Sequence, residues 1–197
     1  MVRKALLVCV LMMTLPLCAC SSGGSTPPQE QALSIRAQYL AASGCTAQVQ
    51  LTADYGRRVY CYEGVVSVLD GETKLTLTAP AEVAGTVARL SGQNGQLEYD
   101  GTVVETGPLS ESGLTPLGAV PALLEAARSA FMDSSTLESL DGTPLLRVLC
   151  RDPALNPGQG QEATLWFHPD SGALALGELT LDGRQSIRCE FEQFTLL

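Results

Sequence analysis

Residues 47–79 read AQVQLTADYGRRVYCYEGVVSVLDGETKLTLTA, and the fold turns on this stretch. Ala47, Val49, Leu51 and Ala53 share one parity; Gln48, Gln50 and Thr52 hold the other. A period of two is the mark of a strand with one face in the core and one in water. Asp54-Tyr55-Gly56-Arg57 turns the chain into a second run, Arg58–Leu69, and Asp70-Gly71 turns it again. In the third run, Thr73–Ala79, Leu75, Leu77 and Ala79 alternate with Lys74, Thr76 and Thr78. Asp-Gly between alternating runs predicts a tight hairpin, because both residues tolerate positive φ. Three hairpin-linked strands with one apolar face form an antiparallel sheet that needs a cover on that face only.

Downstream, the same punctuation recurs. Short strands are expected at Thr86–Ser91, Gln96–Tyr99 and Thr102–Glu105, with turns at Asn94-Gly95 and Asp100-Gly101. The one long helical pattern is Pro116–Met132, where Val120, Leu123, Leu124, Ala127 and Phe131 make one apolar stripe. Thr115 suits its N-cap, with Pro116 in the first turn, although Pro121 could mark the start instead. Strands return at Leu145–Arg151, Glu162–His168, Ala173–Leu181 and Arg184–Thr195. Apolar parity slips at Gly177, which predicts a bulge there. On the N-terminal side, Leu33, Ala37, Leu40 and Ala41 predict a short amphipathic helix over Gln31–Ala42 with that face buried. The fold class is α+β: one domain over residues 32–197, a curved antiparallel sheet of about ten strands covered by two helices.

The first twenty residues, MVRKALLVCVLMMTLPLCAC, have a basic start and an apolar run from Ala5 to Leu17. Thirteen residues are too few for the ~20 that span a bilayer, so residues 1–19 read as an export signal. Leu17-Cys18-Ala19-Cys20 followed by Ser21-Ser22-Gly23-Gly24 resembles the bacterial lipobox. That resemblance implies cleavage before Cys20, a diacylglycerol on its sulfur, and residence on the extracytoplasmic face of a membrane. The alternative is an ordinary secretory signal with Cys20 incidental. Residues 20–31 then form the lipidated cysteine and a tether whose small residues and prolines bury little surface.

Loss of Arg3 and Lys4 with the signal takes the net charge from −9 to −11 and leaves Lys74 as the one lysine. Phosphate contacts need clustered cations, so nucleic acid is excluded as a partner. No Gly-x-Ser-x-Gly is present, and the single histidine, His168, sits in a His-Pro-Asp-Ser-Gly turn. Neighbours in one turn rarely converge as a triad, so no catalytic residues are assigned. One histidine and no Cys-x-x-Cys outside the signal leave no metal site, and no cofactor is expected. Cys45, Cys61, Cys150 and Cys189 are the candidate disulfide cysteines. A hairpin at Tyr55-Gly56 sets Cys61 opposite about Gln50, too far from Cys45 for a bridge. Bridges would therefore join Cys45 and Cys61 to Cys150 and Cys189; buried free thiols are the alternative. Trp166 has the parity of Thr164, against Leu165 and Phe167. It either faces outward as a partner contact or packs beneath a loop.

Three stretches, LTLTAPAEVAG from Leu75 to Gly85, LEYDG from Leu97 to Gly101 and ELTLDG from Glu178 to Gly183, together with the order helix, strands, lid helix, strands, resemble the LolA/LolB-type lipoprotein carrier superfamily. The resemblance spans roughly residues 31–197 and implies a half-open β-barrel closed by helices over a hydrophobic cavity, with no enzymatic activity. A self-anchored chain is similar to the LolA-like lipoproteins of Gram-positive bacteria, GerS-like among them. From parity, the cavity residues would be Val49, Leu51, Leu75, Leu77, Leu165 and Phe167 on the sheet, with Val120, Leu123, Leu124 and Phe131 on the lid. Two functions follow: binding of a lipid or acyl chain in that cavity, or docking and regulation of a cell-wall or spore-cortex enzyme.

Overall fold

A computed structural model describes residues 26–92, 94–107 and 114–197. The signal, the lipidation site at Cys20 and the tether up to residue 25 lie outside the described residues. Helix α1 is Pro28–Ala41 and α2 is Pro116–Ser129. The strands are β1 Gly44–Asp54, β2 Val59–Leu69, β3 Glu72–Ala79, β4 Val87–Ser91, β5 Asn94–Tyr99, β6 Thr102–Gly107, β7 Met132–Leu140, β8 Thr143–Cys150, β9 Gln161–Phe167, β10 Leu174–Leu181 and β11 Gln185–Leu196. All eleven form one antiparallel sheet in the order β6-β5-β4-β3-β2-β1-β11-β10-β9-β8-β7. The sheet is not closed: β6 and β7 are its two edges, and α2 carries the chain from one to the other.

Alternation places one row of side chains inside. Ala47, Val66, Leu75 and Ala88 face one another across β1 to β4, and Leu51, Cys189, Gly177, Leu165 and Val148 do so from β1 to β8. Both rows are buried, whereas Gln48, Gln50, Thr52, Lys74, Glu190 and Glu192 on the other face are exposed. Helix α2 lies on β1, β9, β10 and β11; α1 packs on α2, β7 and β8. Thr115 caps α2, its Oγ1 accepting from the Gly118 N–H at 3.2 Å. Four of the hairpins turn on Asp-Gly pairs, at 70–71, 100–101, 141–142 and 182–183, each with both residues at positive φ. Their twist matches the flanking strands.

Several expectations need correction. Helix α1 starts at Pro28, inside the stretch read as tether, since proline is at ease at the first helical position. Its buried residues are Ala32, Ile35 and Tyr39, while Leu33, Ala37, Leu40 and Ala41 are exposed. Helix α2 stops at Ser129, so Phe131 leaves the stripe and is 54 % exposed. Strand β7 was not expected: MDSSTLESL is polar because an edge strand in contact with water needs no apolar run. Ser91 pairs with Asn94, so Asn94-Gly95 begins β5 rather than forming the turn before it. The register slip in β10 falls between Leu174 and Leu176, just upstream of Gly177.

Candidate functional site

Nine of the ten residues expected around a cavity come together on the inner face. Val49, Leu51, Leu75, Leu77, Val120, Leu123, Leu124, Leu165 and Phe167 belong to one core cluster, and none is more than 8 % exposed. Leu123 is seated on Gly177, where an added Cβ would lie 2.6 Å from Leu123 Cδ1. A glycine in the middle of β10 thus makes room for the Leu123 side chain of α2. The sheet beneath α2 is therefore filled by side chains. Beyond α2, on the same inner face, Tyr60 is 38 % and Val104 is 55 % exposed, with Tyr55, Tyr62 and Leu97 half-buried. Tyr55 packs edge-on against Tyr60 and donates its hydroxyl to the Leu114 carbonyl at 3.0 Å.

The two helices are joined by reciprocal arginine caps. The Arg36 guanidinium donates to the carbonyls of Ala127 at 3.1 Å and Ala130 at 2.6 Å, at the end of α2. In return, Arg128 Nε donates to the Tyr39 carbonyl at 3.1 Å, in the last turn of α1. A cation at a helix C-terminus satisfies orphan carbonyls and opposes the negative end of the dipole. Tyr39 closes the joint from the inside: its ring packs edge-on against Phe167, and its hydroxyl donates to the Gly172 carbonyl at 3.1 Å.

That last contact explains the His168 turn. The His168 N–H donates to the Ala173 carbonyl at 2.9 Å, and the Gly172 N–H donates to the His168 carbonyl at 2.8 Å. Ser171 Oγ accepts from the Ala173 N–H at 3.2 Å, and the Pro169 carbonyl accepts from Gln31 Nε2 at 3.1 Å. The turn holds α1 in place. Among the described residues, no three His, Cys, Asp or Glu side chains gather into a set that could hold a metal ion.

Among the described residues Cys45, Cys61, Cys150 and Cys189 are all free thiols. Cys61 lies opposite Thr52, two residues from the expected register, and is exposed on the outer face. Cys150 and Cys189 are on the inner face, so a bridge from Cys61 to either would have to pass through the sheet. Burial pushes Cys45 and Cys150 up to about 11 and Cys189 up to about 12. Thiols held protonated in this way are poor nucleophiles. Trp166 faces outward and is half-buried by its neighbours on the sheet rather than by a loop: Arg147 lies 5.8 Å over its ring, and its indole N–H donates to Glu138.

Concavities sit where Phe131 was displaced from the stripe. One, of about 480 Å³, is lined by Gln29, Leu33 and Arg36 of α1 and by Phe131, Met132 and the start of β7. Another, of about 290 Å³, is shared by Phe131, Cys150, Arg151 and Pro153. Sequence reasoning missed this region because the signal was split between residue 33 and residue 131. No protein-family model matches the chain, and no curated protein matches it. Solved structures do. A LolA superfamily protein from Nitrosomonas europaea is 12 % identical, with 88 % of this chain and 94 % of that chain covered and a TM-score of 0.41. The lipoprotein LppX from Mycobacterium tuberculosis is 19 % identical, with 85 % and 92 % covered and a TM-score of 0.43. A chain in the complex of the CwlD amidase with the GerS lipoprotein, from Clostridioides difficile, is 11 % identical, with 88 % and 95 % covered and a TM-score of 0.35. The chain is structurally similar to LolA-like proteins at low identity. No helix among the described residues is long and apolar enough to cross a membrane.

Proposed function

We propose that this is a non-enzymatic lipoprotein, anchored through Cys20 on the extracytoplasmic face of a membrane, that works by docking a cell-wall enzyme. The observation that carries this reading is the packed interior. Nine residues that a lipid carrier would turn toward its ligand are instead buried against one another. Lodging an acyl chain there requires α2 to lift off β9, β10 and β11. Until the chain has entered, that opening exposes Val120, Leu123 and Leu124 to water, at about 1.5–3 kcal/mol for each side chain. An interaction protein has no such demand, and its exposed faces are free for a partner. The second reading, a hydrophobic ligand, is favoured by the half-exposed Tyr60, Tyr62, Leu97 and Val104 beyond α2, an apolar surface with polar hydroxyls at its rim.

Native mass spectrometry of the whole chain, extracted and then exchanged into a volatile buffer free of detergent, separates the two. A mass equal to the lipidated chain alone is the expected result. Adducts of lipid mass that disappear on denaturation would overturn docking as the main function and identify the ligand class.

A further inference from the structure

Helix α1 is apolar on two sides. Ala32, Ile35 and Tyr39 face the core, and Leu33, Ala37, Leu40 and Ala41 form a second stripe facing out. Leu33 is 53 % and Leu40 is 64 % exposed, and the groove beside Leu33 is continued by Phe131, itself 54 % exposed. Large apolar groups clustered in this way on a protein surface mark a contact. Arg36, beside the stripe, is drawn away to the end of α2, so the exposed charge left on the stripe's side is Glu30, in the first turn of α1. Seven residues, Ser21–Pro27, separate Cys20 from α1. At ~3.3–3.6 Å per residue they reach no more than ~30 Å, so a lipid on Cys20 keeps the first turn of α1 close to the bilayer.

We propose that the outer stripe of α1, with Phe131, lies on the lipid surface and fixes the orientation of the body relative to the membrane. This rests on lipidation at Cys20. A single amphipathic face adds to a lipid anchor the second contact that turns tethering into a defined pose. The contact is made by Leu33, Leu40 and Phe131, and salt can only screen the repulsion of an acidic chain from an anionic surface, so raised salt does not weaken it.

The test uses the full lipidated chain in vesicles of phosphatidylcholine and phosphatidylglycerol. In a Cys61→Ser background, an environment-sensitive fluorophore is placed by Leu33→Cys, Leu40→Cys or, as a control on the opposite edge, Val103→Cys. All three positions are exposed, so the fold tolerates the label. Acrylamide quenching at positions 33 and 40 is expected to be several-fold weaker than at 103, with no change as salt is raised. Equal quenching at all three positions on a chain that floats with the vesicles overturns the membrane contact while leaving the anchor intact. A chain that floats no better than its Cys20→Ala variant overturns the anchor, and the pose with it.

Discussion

At the scale of single residues, the contact between Gly177 and Leu123 decides how closely helix and sheet approach. Leu123 has no exposed surface, and a Cβ at 177 would meet its Cδ1 at 2.6 Å, its Cδ2 at 2.8 Å and its Cγ at 3.1 Å. Gly177→Val is therefore an overpacking substitution, expected to lower stability by about 1–3 kcal/mol in urea unfolding. Truncating the opposing side chain makes room for it. The double variant Gly177→Val/Leu123→Ala should lose clearly less than the sum of its two single variants, since the sites share one volume. Strict additivity would mean that the two residues are not in contact. Leu123 was legible in the sequence as part of a stripe. That glycine 177 marks close approach rather than the bulge itself was not, because both roles leave the same interruption of an apolar pattern.

At the scale of elements, α1 shows why an apolar face is an ambiguous signal. Its sequence offers two stripes, one of Leu and Ala and one of Ala32, Ile35 and Tyr39, and periodicity alone favours the one with more leucine. The second stripe wins because Tyr39 fits between Phe167 and the His168 turn, donating its hydroxyl to the Gly172 carbonyl, which a leucine could not do. The arginine caps then fix the helix pair. Arg36→Met keeps most of the side-chain stem and removes the donors, so it leaves the last carbonyls of α2 unsatisfied. Loss of these charge-assisted, partly buried bonds should lower stability by about 1–3 kcal/mol. Hydrogen exchange would read the same change locally, as faster exchange in the last turn of α2 with little effect in β3 to β5. Uniform acceleration over the whole sheet would instead mean that the helix pair and the sheet unfold as one unit.

At the scale of the whole molecule, the core carries ionisable groups that are kept neutral. Burial raises Cys45 and Cys150 to about 11 and Cys189 to about 12, from an ordinary 9.0, and it raises Tyr39 above its ordinary 10.0. In the unfolded chain these groups lose their protons at their ordinary values, whereas in the folded chain they keep them. Between those values the native state binds more protons, so stability is fully present below pH 9 and falls as the pH rises toward 11. The urea midpoint should drop between pH ~7.5 and pH ~10.5, and Cys189→Ala should reduce the drop. A midpoint independent of pH over that range would show that the thiols are already hydrated in the native state.

The sequence by itself determined the class of fold, because period-two alternation and Asp-Gly turns are local: each hairpin contains its own register signal within a dozen residues. It also placed nine of the ten expected residues on the inner face, because period two in the strands and the i, i+3, i+4 stripe of α2 each assign a face without reference to a neighbour. Only the tertiary structure decided what those residues pack against. Whether Val49 and Leu123 line a space or fill it depends on how closely α2 approaches β10, and that distance is set by a glycine 54 positions along the chain from Leu123. The same limit explains strand β7. Its polar sequence is ordinary for an edge, yet a strand becomes an edge only when the sheet around it exists, and the Asp141-Gly142 turn that follows it was the one local trace. Pairing of β1 with β11, which joins the two ends of the body at the centre of the sheet, was equally invisible. Both strands alternate correctly, and alternation names a face, never a partner.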